Sequence, residues 1–412
     1  MAFIYDIDNK NKDTLSSKFL FICHFLGTVG SVFISTFFIA HIYTISSDTY
    51  NYIFNVGLYY AITYITFLIV YYLSSFIVDR TNRVWVYRVA TLIRCAVVII
   101  MIFFGENLAT IIPLAGFMYG LGESMYYASY NVIKQEMVGR NIMSRYATGA
   151  MIASKIFEII TPITLGTIIN STSFKKSAII VSVVSFIIFV MTFFIHSKRP
   201  ENSHYSMTEY FKMLKEKDDD AILSIKFLYI ISFIYGFSTV VGALTNICIM
   251  LQFNSSLSLG KITSAINFIA MIELILLSRF TKPGQRNWAY YTCMAFPVIG
   301  VTLFTVMPSM ATIVIYNFCM AVSAIFFKTT FDIFRNGVLK EAGLYDEISE
   351  HHTIVESLLC IARVLSFSLM IGISFIKSDI IVYVLLILFS LAYPTMLLLM
   401  ANYEKRYVKK SV

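Results

Sequence analysis

The sequence predicts an all-α polytopic membrane protein, with twelve transmembrane helices in two six-helix halves. Three observations predict it. The 412-residue chain is 58% hydrophobic and 14% charged, against about a quarter charged in soluble domains. Apolar runs longer than about 18 residues recur along its whole length, each long enough to cross a hydrocarbon layer about 30 Å thick. One long polar stretch, Ser197 to Asp220, separates six such runs from six more. A transmembrane barrel would instead show short segments of alternating polarity.

In chain order, residues 1–17 read as a short polar tail. The first run, Phe19 to Tyr43, has no small-residue cleavage pattern after it and reads as a retained helix, not a signal peptide. The predicted helices are 19–43, 52–78, 84–104, 108–133, 143–169 and 177–196, then 222–249, 258–280, 288–306, 310–333, 350–376 and 379–401. This divides the chain into an N-terminal half (1–196), a cytoplasmic linker (197–221) and a C-terminal half (222–412). Within the linker, Met207, Tyr210, Phe211 and Leu214 recur at helical spacing and predict a short amphipathic helix on the membrane surface.

The net charge of +8 is distributed as an orientation signal and not as a nucleic-acid surface. Of 32 Lys and Arg, 25 lie at the termini and the even-numbered loops, four (Lys175, Lys176, Lys261, Lys377) at odd-numbered loops and three inside helices. The positive-inside rule therefore places both termini in the cytoplasm. The six cysteines are scattered singly in apolar runs, with no metal-ligand spacing, and read as packing residues. No Gly-rich phosphate loop, Walker lysine or His/Cys metal motif is present, so neither an enzyme nor a cofactor is expected. High Ile, Asn, Lys and Tyr usage suggests an AT-rich bacterial source and hence the cell membrane.

Between the second and third runs lies Ser75-Phe-Ile-Val-Asp79-Arg80-Thr-Asn-Arg83, a short charged hinge. It resembles the signature loop between helices 2 and 3 of the major facilitator superfamily, G-x-L-A-D-R-x-G-R-K. Asp79, Arg80 and Arg83 match, and Ser75 stands in place of the first glycine. The turn Ser278-Arg279-Phe-Thr-Lys282-Pro-Gly284-Gln-Arg286 echoes it in the second half, without the aspartate. The resemblance implies two parallel repeats, each of inverted three-helix units, with a substrate site at the midplane and alternating access. It also implies a gating role for Ser75, Asp79, Arg80 and Arg83, with Asp79 docking near the start of helix 11 and Arg80 and Arg83 reaching Glu350 or Glu136. Pro162, in Thr161-Pro162-Ile-Thr-Leu-Gly166, should kink helix 5. That place is similar to the Gly-Pro-x-x-Gly-Gly element of exporting members, with Pro162 and Gly166 matching.

Ionisable residues at depth in a membrane are costly unless they face protein or water, which makes them functional candidates. Seven stand out: Arg94, Glu123, Lys155, Glu158, Glu273, Glu356 and Arg363. Lys155 and Glu158 share a helix face, as do Glu356 and Arg363. Each set would serve either to neutralise charge between helices or to bind substrate and protons. Glu123, in Gly120-Leu-Gly-Glu123, is the first-choice proton site, the alternative being a permanent ion pair with Arg94. Tyr60, Tyr64 and Tyr71, and Tyr126 and Tyr130, fall on helix faces that could line an amphipathic pocket or simply pack. A lone His24 is expected to be hydrogen-bonded. The expected activity is proton-coupled export of an amphipathic compound by a monomer. Its expected partners are a small-molecule substrate, protons or another coupling ion, and membrane lipids. The alternatives are an anionic or lipid-linked substrate, or a non-transporting sensor or partner subunit on the same fold.

Overall fold

A computed structural model describes residues 13–46, 48–137, 143–196, 205–280, 287–344, 347–377 and 379–407. The far ends of both tails, Lys198-Arg199-Pro200 and most of the 278–286 turn lie outside them, as do the side chains of Glu136 and Glu273.

The described residues are helical nearly throughout. Helix α1 comprises Asp13–Val32, a π-helical stretch Phe33–Phe38 and Ile39–Ile45. There follow α2 (Thr49–Arg80), α3 (Arg83–Phe104), α4 (Leu108–Met137), α5 (Met143–Ser171) and α6 (Phe174–Met191). The linker holds α7 (Met207–Lys215). Then come α8 (Asp219–Phe253), α9 (Ser256–Phe280), α10 (Asn287–Val306), α11 (Met310–Glu341), α12 (Ile348–Ser374) and α13, made of Asp379–Ser390 and Ala392–Tyr407. Setting α7 aside, twelve helices cross the membrane. Ten of them, among the described residues, are long and apolar enough to be recognised as spans on that basis alone. The two that fall short are α4 and α9. Helix α4 is diluted by Gly, Tyr, Ser and Glu123, residues that need a protein neighbour.

Several helices outrun the predicted apolar runs, because polar residues cap them beyond the hydrocarbon. Asp48 accepts from the Asn51 N–H at 2.8 Å, and Asp218 from the Ala221 N–H at 2.8 Å. Ser173 caps α6 by accepting from the Lys176 N–H. These side chains satisfy amides that the first helical turn leaves without partners.

The chain forms two compact units, Met1–Ser206 and Met207–Val412. Helix α7 therefore packs with the second unit. Its Tyr210 is fully buried, and the Tyr210 hydroxyl lies 2.7 Å from that of Tyr229 on α8. The Tyr229 hydroxyl in turn lies 3.4 Å from Nδ1 of His351 on α12. Burial pushes the Tyr210 phenol above its ordinary range, so it keeps its proton for this chain of hydrogen bonds. The amphipathic pattern of α7 thus serves protein packing through Tyr210, while Phe211 on its other side is exposed.

In the first unit, α2 and α4 touch through glycines. A Cβ on Gly120 would stand 2.4 Å from the Thr63 carbonyl oxygen, and one on Gly116 2.9 Å from that of Tyr59. The second unit repeats the device between α8 and α12, where a Cβ on Gly236 would meet the Leu359 oxygen at 2.5 Å. Small residues at such crossings let backbones approach and gain dispersion contacts, the main source of helix association in lipid. Trp85 and Trp288, near the starts of α3 and α10, are both about two-thirds exposed, at 63% and 65%. They occupy corresponding places in the two halves, as interfacial anchors do.

Arg88 closes the end of α6. It donates from Nε to the Thr192 carbonyl at 3.3 Å and from a terminal nitrogen to that of Ile195 at 3.3 Å, with its guanidinium over the Phe193 ring. Replacing Arg88 with Ala should cost about 1 kcal/mol, below the usual range for charged hydrogen bonds because the site is partly open to solvent. Thermal unfolding of purified protein checks it. An unchanged midpoint would remove Arg88 from the stabilising set.

Candidate functional site

The site is built where α1, α3 and α4 meet. Arg94 lies midway along α3 and Glu123 midway along α4, hence at mid-depth. Both side chains are largely enclosed, 14% and 9% exposed, and Arg94 Nε stands 2.8 Å from Glu123 Oε1. The contact is close but does not lie along an N–H. Oε1 is buried and accepts no hydrogen bond of good geometry among the described residues.

Arg94 has three further supports. It donates to Ser31 Oγ at 2.9 Å and to the Gly27 carbonyl at 3.4 Å, both on α1. Its guanidinium also lies over the Tyr126 ring of α4, 4.4 Å from the centroid. The glycines make room for it, since a Cβ on Gly122 would press its Cγ at 3.1 Å and one on Gly27 its guanidinium at 3.4 Å. A cleft floored by Arg94 and walled by Gly27, Gly30, Thr91 and Ser185 opens beside the pair. Taking two charges out of water is costly, and only close pairing and hydrogen bonds compensate for it.

Rings of α1, α2 and α4 stack on one another. Tyr126 lies 2.9 Å through its hydroxyl from His24 Nδ1, and the His24 ring stacks on Tyr130 at 4.4 Å. Tyr60 stacks on Tyr64 at 6.0 Å, and Tyr59 on Tyr119 at 6.5 Å.

The remaining candidates are placed as follows. Lys155 and Glu158 pair with each other on α5, both half-buried. Helix α5 runs unbroken through Pro162. Arg363 donates from Nε to Thr239 Oγ1 on α8 at 3.1 Å, and Glu356 is half-buried on the same helix as Arg363. In the hinge, Ser75 Oγ donates to the Tyr71 carbonyl at 3.0 Å. Asp79 accepts the Tyr205 backbone N–H at 3.1 Å, which ties the segment leading into α7. Arg80 is exposed and lies over the ring of Phe76, one turn back, at 3.8 Å. Arg83 is buried.

Ser31, Gly27 and Thr239 are missing from the sequence-based candidates. Each sits on a helix remote in sequence from the charge it serves, so no local pattern marks it. No group of three or more His, Cys, Asp or Glu able to hold a metal occurs among the described residues.

The profile of the Major Facilitator Superfamily matches residues 19–342. The chain belongs to this superfamily. No curated protein matches the sequence. Solved superfamily structures share the fold at low identity. A bacterial homologue of the iron transporter ferroportin, in an inward-facing state, superposes with a TM-score of 0.67 at 14% identity, covering 96% of this chain and 99% of that one. A POT family transporter in complex with 5-aminolevulinic acid gives 0.68 at 10% identity, covering 95% and 96%. The human organic anion transporter MFSD10 (TETRAN) gives 0.65 at 13%, covering 95% and 100%. The family and the fold support transport of a small molecule by a multi-pass membrane protein. They favour that activity over an enzymatic one. Within this superfamily member the Arg94–Glu123 pair joins α3 to α4, and Arg94 joins both to α1.

Proposed function

We propose that this protein is a proton-coupled exporter of an amphipathic small molecule, with the Arg94–Glu123 pair as its coupling element. The single observation that carries the reading is the buried pair at mid-depth, close but without an aligned hydrogen bond. Glu123 is stable as a carboxylate only while Arg94 is against it. Anything that draws the guanidinium away leaves an uncompensated buried charge, which neutralises by taking up a proton. Protonation of Glu123 conversely frees Arg94, which cannot lose its own proton. One proton thus switches the link between α3 and α4.

Where Tyr60, Tyr64, Tyr119 and Tyr126 face a central cavity, they would offer apolar area with hydroxyl handles, suited to an amphipathic ligand. Export is favoured by Pro162 and Gly166 in α5, which stand where exporting relatives carry their proline–glycine element. In this reading, halves 1–196 and 222–412 alternate access about linker 197–221. The protein works as a monomer in a bacterial cell membrane with both termini inside. A second reading, an anionic or lipid-linked substrate, is favoured by Arg363, whose guanidinium is held by a hydroxyl on α8.

Ethidium flux in proteoliposomes under an imposed pH gradient tests the proposal. Glu123→Gln should abolish gradient-driven flux and flatten its pH dependence, while the purified protein remains folded. Wild-type pH dependence in that variant would take Glu123 out of the mechanism.

A further inference from the structure

We propose that His24 is the second proton-carrying residue of the Arg94–Glu123 pair, linked to it through Tyr126. The inference rests on the proton-coupled reading above and adds a route for protons between the pair and cytoplasmic water. Tyr126 touches both partners: its ring carries the Arg94 guanidinium at 4.4 Å, and its hydroxyl lies 2.9 Å from His24 Nδ1. His24 then stacks on Tyr130, over which Lys134 Nζ sits at 5.4 Å. On α4 the residues Glu123, Tyr126, Tyr130 and Lys134 fall three or four apart, which forms one stripe. At 1.5 Å per residue the stripe runs about 16 Å from the mid-depth carboxylate to the last turn of α4. That is the cytoplasmic end, where an exporter driven by proton entry releases its proton to water.

The chemistry follows from the hydrogen bond. A neutral His24 accepts at Nδ1 from the Tyr126 O–H. When His24 gains a proton at Nδ1, it becomes the donor, and the Tyr126 hydroxyl proton turns away. The Tyr126 oxygen then accepts from a cation, so its ring loses electron density and holds the Arg94 guanidinium less well. Two positive charges also now share one tyrosine, and Arg94 is weakened against Glu123. A proton arriving at His24 thereby loosens the pair that holds Glu123 charged. Histidine suits the task because its ordinary titration falls between about pH 5 and 8.

The groups around His24 are consistent with this role. From α4 it meets Tyr126 and Tyr130, with Lys134 and Glu123 along the same stripe. From α3 come Tyr87, whose ring lies 5.3 Å from Tyr126, and Arg94. Helix α5, which meets α1 through Phe157 against Phe25, brings Lys155 and Glu158, and these pair with each other. The ionisable residues of α6 are Lys175 and Lys176, at its opposite end. Cys23, beside His24, donates weakly to the Ile188 carbonyl.

The test uses the full chain with histidine labelled for NMR, the His24 signal being assigned among six histidines by its loss in His24→Gln. In Glu123→Gln the uncompensated Arg94 charge should lower the proton affinity of His24 at least threefold. An unmoved titration overturns the proposal whatever the protein transports. In ethidium-loaded proteoliposomes, His24→Gln should slow gradient-driven flux at least tenfold and flatten its pH profile. Tyr126→Phe, which keeps the ring in the core, should flatten it likewise. A wild-type profile in both variants, with Glu123→Gln inactive, overturns the His24 role and leaves the coupling role of Glu123 standing. If Glu123→Gln itself keeps wild-type flux, the coupling reading fails and a transport role for His24 fails with it.

Discussion

Replacing Arg94 with methionine is expected to cost about 3–5 kcal/mol of stability, the range for breaking a buried ion pair from one side. The cause is not the contact itself. Glu123 would remain 9% exposed at mid-depth with no cation against it, and Ser31 and the Gly27 carbonyl would lose their donor. The double variant Arg94→Met, Glu123→Gln should recover most of the loss, because the uncompensated charge disappears with the carboxylate. Thermal unfolding of the wild type, the two single variants and the double variant forms a complete cycle. Additive losses in the double variant would show that the two residues act separately, and the coupling argument would fall with them.

Gly120→Val should be the most damaging glycine substitution at the α2–α4 crossing. A Cβ alone would stand 2.4 Å from the Thr63 carbonyl and 2.9 Å from the Thr63 neighbour Thr66 at its Cβ. Since the obstacle is backbone, α2 and α4 must separate, and overpacking of this kind costs about 1–3 kcal/mol and sometimes more. Separation would also disturb the seat of Glu123, three residues along α4. Gly372→Ala is the matched control. Nothing lies within 4 Å of a Cβ there, so the intrinsic helix preference for alanine should leave it neutral or stabilised by about 0.5–1 kcal/mol. Detergent-stability assays of the two variants separate crowding from propensity. Equal behaviour would mean that the α2–α4 crossing is not the tight contact its geometry describes.

Much of the architecture is legible in the chain because the bilayer is a demanding solvent. Every backbone amide must be satisfied within its own helix, so spans appear as long apolar runs whose number can be counted. Glu123 and Arg94 stand out for the same reason, as charges where charge is costly. Helix ends are less legible. The caps at Asp48, Ser173 and Asp218 lie outside the apolar runs, so helices reach further than hydropathy alone suggests. Helix α4 illustrates the limit from the other direction. Its polar and small residues weaken the membrane signal because they are spent on protein neighbours: Gly116 and Gly120 on α2, Gly122 and Glu123 on Arg94.

Pairing is what the chain could not disclose. Lys155 and Glu158 find each other locally, three residues apart on one helix. Arg94 had several carboxylates open to it, and only packing brings Glu123 to 2.8 Å while placing Ser31 and Tyr126 around the guanidinium. Arg363, two turns from Glu356 on the same helix, donates from its Nε to Thr239 of α8. Asp79 accepts the N–H of Tyr205, a partner that no local pattern marks. The sequence by itself determined the twelve spans, the polar break after the sixth and the residues too costly to bury without purpose, because those follow from the period of one helix and the cost of moving charge out of water. The tertiary structure alone decided which of those charges meet. That choice depends on how closely helices approach, and here it turns on glycines whose missing side chains are the contact.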